Sequence, residues 1–129
     1  MDEEKDLQKL KKEKQKIRKE QKRLMELYGD IEEKRKVAAM GLIERAAFLK
    51  VKLEFLEEDL NEHGFVEMFS QGNQEPYERQ RPNANLYVSF NGTYQKCIKQ
   101  LTDLLPKEDA KVKEASDGFE SFVSERDDA

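Results

Sequence analysis

The chain has 129 residues, of which 40% are charged and 36% hydrophobic, with a formal net charge of −4 and a single cysteine. This describes one small domain plus extensions, with a composition typical of long solvated helices rather than a compact enzyme core. No apolar run approaches the ~18 residues of a membrane span, no signal-peptide pattern opens the chain, and a lone Cys97 excludes an internal disulfide and fits a reducing cytosol.

Residues 5–27 read as the first helix. Leu10, Ile17 and Leu24 recur every seven residues and take heptad position d, while the a positions hold Leu7, Lys14 and Gln21. A half-polar seam makes a weak coiled coil at best. The informative feature is charge: residues 8–23 carry nine Lys or Arg against two Glu. Lys9, Lys12, Lys16, Lys19 and Arg23 step by three and four, so a helix aligns them as one positive stripe spanning roughly 21 Å. Lys11, Lys14, Arg18 and Lys22 thicken it on one flank. Mobile cations along a line suit backbone phosphates, and such contact is salt-sensitive and sequence-tolerant. These nine residues form the candidate DNA-binding set. The opposing reading is a solvated helix or weak coiled coil, with Glu13 pairing Arg18 across strands.

Gly29 marks the end of the first helix, and Asp30 followed by Glu33 has the form of a capping box. The second helix is predicted from about Ile31 to His63, stopping at Gly64. Along it, Leu42, Ala46, Leu49, Leu53, Leu56 and Leu60 keep one face apolar. Val37, Phe48 and Phe55 form a second apolar line, roughly 120–140° around the helix. A helix apolar on two sides needs two partners.

Residues 65–81 join this helix to the next. Phe65 to Phe69 is β-prone, Ser70 to Glu75 reads as a turn around Gly72, and Pro76 to Arg81 could return, so a small hairpin and an ordered loop both fit. Pro82 opens the third helix. There Asn91-Gly92, flanked by β-formers, is a local hairpin signal. Against it, Tyr87, Phe90, Tyr94, Ile98, Leu101 and Leu105 hold helical spacing for about five turns. The longer pattern selects a helix, with Cys97 as a buried, inert thiol on its apolar face and Pro106 closing it. In the acidic tail, residues 107–129, Phe119, Phe122 and Val123 stand out as a short partner-binding motif.

The expected architecture is mainly α: a long antiparallel helical hairpin (residues 30–106, connection 65–81), a basic N-terminal helix (1–29) and an acidic flexible tail. The third helix covers the leucine seam, which leaves Val37, Phe48, Val51 and Phe55 for another subunit in an oligomeric ring. The alternative is that the first helix folds back over that line, although Lys14 and Gln21 make it a poor lid. No catalytic arrangement emerges. His63 is the only histidine, no zinc set or Cys–His pair is spaced for chemistry, and no glycine-rich phosphate loop occurs. Neither enzyme activity nor a metal or cofactor is expected.

Leu42-Ile-Glu-Arg-Ala-Ala-Phe-Leu49, Leu53 to Leu60, Gly64, Pro82 and Lys99-Gln-Leu-Thr-Asp-Leu-Leu-Pro106 together resemble the small terminase subunits of tailed bacteriophages and prophages. The likeness covers about residues 30–107. It implies a non-catalytic ring that binds viral double-stranded DNA when genome packaging begins. It also implies that the ring recruits and regulates the large terminase subunit, the ATPase and nuclease, in the bacterial host cytoplasm and outside the mature virion. Three features depart from the pattern: Arg81 occupies the place of a helix-capping Ser or Thr, Ser89 to Thr93 weakens the third helix, and the first helix shows no helix-turn-helix signal. A structural coiled-coil adaptor whose basic helix binds an acidic protein is the alternative. A small helical transcription factor would need a recognition helix after a tight turn, which the chain does not display.

Overall fold

Asp2–Leu27 contains no glycine or proline and is rich in Lys, Glu, Gln and Leu, all good helix formers. It forms helix α1, with Asp2, Glu3 and Glu4 in the first turn, where carboxylates suit the helix dipole. The computed structural model describes residues 2–106; Phe119, Phe122 and Val123, with the rest of the tail, lie outside the described residues.

The link to the second helix differs from expectation. Gly29 is not in the left-handed region, and the chain turns through hydrogen bonds from Tyr28 N to Leu24 O (2.9 Å) and from Ile31 N to Tyr28 O (3.3 Å). Ile31 is drawn into the core at 3% exposure instead of opening a helix. A 3₁₀ turn, Glu33–Arg35, follows, and helix α2 spans Lys36–His63. No side-chain cap forms at either start, so the Asp30–Glu33 capping box is not realised. Burying Ile31 outweighs a surface cap of about 1 kcal/mol.

Gly64, at φ 80°, ends α2 where a side chain would be strained. The connection forms an antiparallel hairpin of β1 (Val66–Phe69) and β2 (Tyr77–Gln80), in register from Val66 opposite Gln80 to Phe69 opposite Tyr77. One hairpin face is held by its side chains. Arg79 Nε donates to Glu67 Oε1 at 2.7 Å, its guanidinium stacks 3.5 Å over Phe69, and Phe69 meets Tyr77 edge-on at 5.9 Å.

Arg81 accounts for the missing cap. Its backbone N–H bonds Phe65 O (2.8 Å), its Nη1 donates to Gly64 O (2.7 Å), and its Nη2 pairs with Asp59 (2.8 Å). Asn83 Nδ2 donates to the same Asp59 oxygen at 2.9 Å. One guanidinium therefore ties α2 to the base of the hairpin and to the next helix, which a serine could not do. The hydrogen bond from Asn83, with the Arg81 bond and charge added, holds the Asp59 carboxyl below its ordinary value against the opposing effect of burial. A depressed folded pKa contributes stability above the unfolded value and loses it as pH falls through the folded one. The clamp thus holds at neutral pH and weakens in acid, as pH falls through the lowered Asp59 pKa.

Helix α3 spans Pro82–Asp103 with Pro82 in its first turn. It lies antiparallel on α2, fastened at one end by Asn83 to Asp59 and by Tyr87 Oη donating to Glu57 at 3.0 Å. The leucine seam faces it: Ala46, Leu49, Leu53 and Leu60 are buried, and Leu42 and Leu56 are half-buried. Cys97 is buried as expected. Asn91 and Gly92 are helical, because five turns of apolar stripe outweigh one local turn signal. A Cβ built at Gly92 meets nothing within 4 Å. Gly92→Ala is therefore expected to stabilise the fold by roughly 0.5–1 kcal/mol in thermal or urea unfolding.

The principal correction concerns α1, which folds back along α2 within the same chain. Leu24, Tyr28 and Ile31 enter one core with Ala39, Ile43, Ala46, Ala47, Cys97, Leu101 and Leu105. Tyr28 Oη and Thr102 Oγ1 share a buried hydrogen bond of 3.2 Å, which joins the C-terminal ends of α1 and α3.

Candidate nucleic-acid interface

The seven-residue repeat of Leu10, Ile17 and Leu24 shows only part of how α1 docks. Glu13, Ile17, Glu20 and Leu24 step by four, three and four, so one helix face carries apolar and acidic groups in alternation. On α2, Lys50 and Lys52 stand opposite. Glu13 pairs with Lys52 rather than with Arg18 of a second strand. Glu20 lies 3.7 Å from Lys50 Nζ, with 10% of its side chain exposed. The same carboxylate accepts a two-pronged bond from Arg23, at 2.8 Å from Nε and 2.9 Å from Nη2. Ile17 lies between these charge pairs along the helix and packs against the core that Leu24 enters beyond them. Lys14 does not spoil the lid because it is exposed, and Gln21 is only half-buried.

This docking sorts the charges of α1. Both carboxylates within residues 8–23 turn inward to lysines of α2, while all nine cations stay exposed: Lys9, Lys11, Lys12, Lys14, Lys16, Arg18, Lys19, Lys22 and Arg23. Two of the nine serve the fold. The Lys16 ammonium sits 5.1 Å over the Phe55 ring, and Arg23 holds Glu20. The other seven make no hydrogen bond or ion pair among the described residues. They line the two flanks and the back of a straight rod about 39 Å long. Such a surface concentrates positive charge along residues 9–22. Lys9, Lys12 and Lys19 remain free on the expected stripe, whereas Lys16 and Arg23 lean toward α2.

The expected oligomer line divides. Val51 is 3% exposed and shares a crevice with Lys16, Lys19, Glu20 and Arg23 of α1, so it is covered within the chain and offers nothing to a neighbour. Val37 is 85%, Phe48 45% and Phe55 37% exposed. Phe48 and Phe55 each carry a lysine ammonium, with Lys52 5.4 Å above Phe48. Further apolar surface that the sequence reading did not single out lies on the hairpin, where Phe65, Val66 and Met68 are 56%, 51% and 63% exposed. Strand alternation, once the hairpin is known to form, puts Val66 and Met68 on the face opposite the Arg79–Phe69 stack.

Among the described residues, no three His, Cys, Asp or Glu side chains gather as a metal site, and no helix is long and apolar enough to cross a membrane. His63 is exposed in the last turn of α2, 4.0 Å from Asp59 and 3.8 Å from Glu62. Compared with known protein families, curated proteins and solved structures, the chain matches none of them.

Proposed function

We propose that this chain is a small terminase subunit: a non-catalytic, ring-forming protein that binds viral double-stranded DNA at the start of genome packaging and engages the large terminase subunit. The observation that carries the reading is the charge sorting on α1. Glu13 and Glu20 are turned into α2 and paired there, leaving seven exposed cations with no ion pair among the described residues along one helix. A rigid line of cations is complementary to a phosphate backbone and contains no element that reads bases, so the contact is electrostatic and sequence-tolerant. The ordered likeness of residues 30–107 to small terminases supplies the packaging role.

Assembly is supported by apolar side chains that stay exposed on α2 and the hairpin, notably Val37, Phe48, Phe55, Val66 and Met68, with Phe48 and Phe55 partly covered by lysines. Repeating a weakly binding helix around an assembly raises its avidity for a long polyanion. Native mass measured with and without duplex DNA tests both halves of the proposal. The expected result is a discrete oligomer larger than a dimer that takes up DNA at low salt. The double substitution Phe48→Ser and Phe55→Ser is expected to reduce that mass to the monomer while helicity is retained. A monomeric native chain would remove the ring. An oligomer that ignores DNA at low salt would favour the adaptor reading, in which the basic helix grips an acidic protein.

A further inference from the structure

We propose that the cationic surface of α1 is also the docking surface for an acidic peptide, and that its occupant is the chain's own residues 107–129, which compete with duplex DNA for it. The inference shares its surface with the DNA contact of the preceding section, and the test below separates the two.

Three observations carry it. First, seven of the α1 cations make no hydrogen bond or ion pair among the described residues, and Glu13 and Glu20 are committed to Lys52 and Lys50. Second, the 23 residues after Pro106 hold eight Asp or Glu against four Lys or Arg, so the segment has the complementary sign. Third, the tether is in the right place. Leu105 is buried in the same cluster as Leu24 and Tyr28, and Thr102 is hydrogen-bonded to Tyr28. The last described residues, Leu105 and Pro106, therefore lie by the C-terminal end of the cationic run, in the cluster that holds Leu24, the neighbour of Arg23.

Reach is ample. An extended chain of 23 residues spans up to roughly 75 Å, about twice the ~39 Å of α1. A tethered ligand of this length meets its site at an effective concentration on the order of millimolar. Weak charge pairing is then enough to occupy the helix at low salt. Duplex DNA, with a far denser line of charge, displaces it. Occupation by the tail sets a threshold below which short or sparse polyanions do not bind, and DNA binding frees the tail for other contacts.

The test uses the full chain carrying Cys97→Ala and a nitroxide on Ser121→Cys. At about 50 mM salt the label is expected to broaden the NMR amide signals of residues 9–23, and either a 24-bp duplex or about 0.5 M salt restores them. Unbroadened α1 signals at low salt would overturn the proposal. In parallel, all eight tail carboxylates are converted to amides in the chain with its native cysteine. DNA affinity is expected to rise about tenfold at 50 mM salt and to converge with the native chain near 300 mM. Equal affinity at both salts would refute competition. If the label touches α1 but DNA neither binds nor displaces it, the DNA reading fails and tail docking stands. If DNA binds and the label leaves α1 untouched, docking fails and the DNA reading stands.

Discussion

Converting Lys9, Lys11, Lys12, Lys14, Arg18, Lys19 and Lys22 together to Gln is expected to abolish retention of duplex DNA while leaving the oligomer mass and the unfolding midpoint near native values. These seven are the α1 cations with no partner in the fold, and Gln has nearly the helix propensity of Lys. If most of them contact phosphates, neutralising them removes a counterion-release term that scales as ~0.9 per phosphate. The native chain should then lose affinity on the order of 10³-fold between 50 and 200 mM salt, and the variant should show almost no salt dependence. Lys16 and Arg23 are spared on structural grounds. Lys16 lies over Phe55 and Arg23 holds the buried Glu20, so replacing them would disturb docking of α1 as well as its charge. Filter-binding or fluorescence anisotropy across a salt series reads the outcome. Unchanged retention by the seven-fold variant would exclude α1 as the DNA contact.

Leu24→Ala and Leu101→Ala are each expected to destabilise the protein by about 3–4 kcal/mol, the cost of lost burial plus a cavity in a packed core. Both side chains are fully buried, and both sit where the ends of α1, α2 and α3 converge. In urea the midpoint should fall by roughly 2 M at a typical slope for a domain of this size. Leu7→Ala and Leu10→Ala form the contrast. At 56% and 50% exposure they should cost no more than about 0.5 kcal/mol, although in the heptad count Leu10 is equivalent to Leu24. Comparison at one protein concentration is required, because assembly contributes to apparent stability. If Leu10 proved as costly as Leu24, α1 would be packed along its whole length and the cationic surface would be smaller than described. Loss of Leu24 should also weaken DNA binding, because the cations lose the platform that aligns them.

Legibility in the sequence followed the range over which each signal acts. The leucine seam of α2, the stop at Gly64, the start at Pro82 and the apolar stripe of α3 depend on spacing within a single helix, and each lies where the spacing puts it. Asn91-Gly92 is the instructive conflict, because a two-residue turn signal lost to a stripe many times its length. The hairpin stayed ambiguous in the sequence. Its closure depends on Arg81 reaching back to Gly64 and Asp59, a contact between segments that no local propensity records. The start of α2 was misplaced for a related reason. The Asp30–Glu33 pattern is local, while the pull of Ile31 into the core is not.

The candidate interface divides along the same line. Its cations and their spacing are determined by sequence alone, since a helix without glycine or proline fixes their order along a rod. Which of them face outward, and whether anything neutralises them, was decided by tertiary structure. Counting only apolar positions made α1 a poor lid and left Val51 to a neighbouring copy. In the fold, Glu13 and Glu20 meet Lys52 and Lys50 across a turn and bury Val51 beneath them. An ion pair between residues 30 or 39 positions apart in sequence depends on where both helices lie in space, so only the packed chain could reveal it.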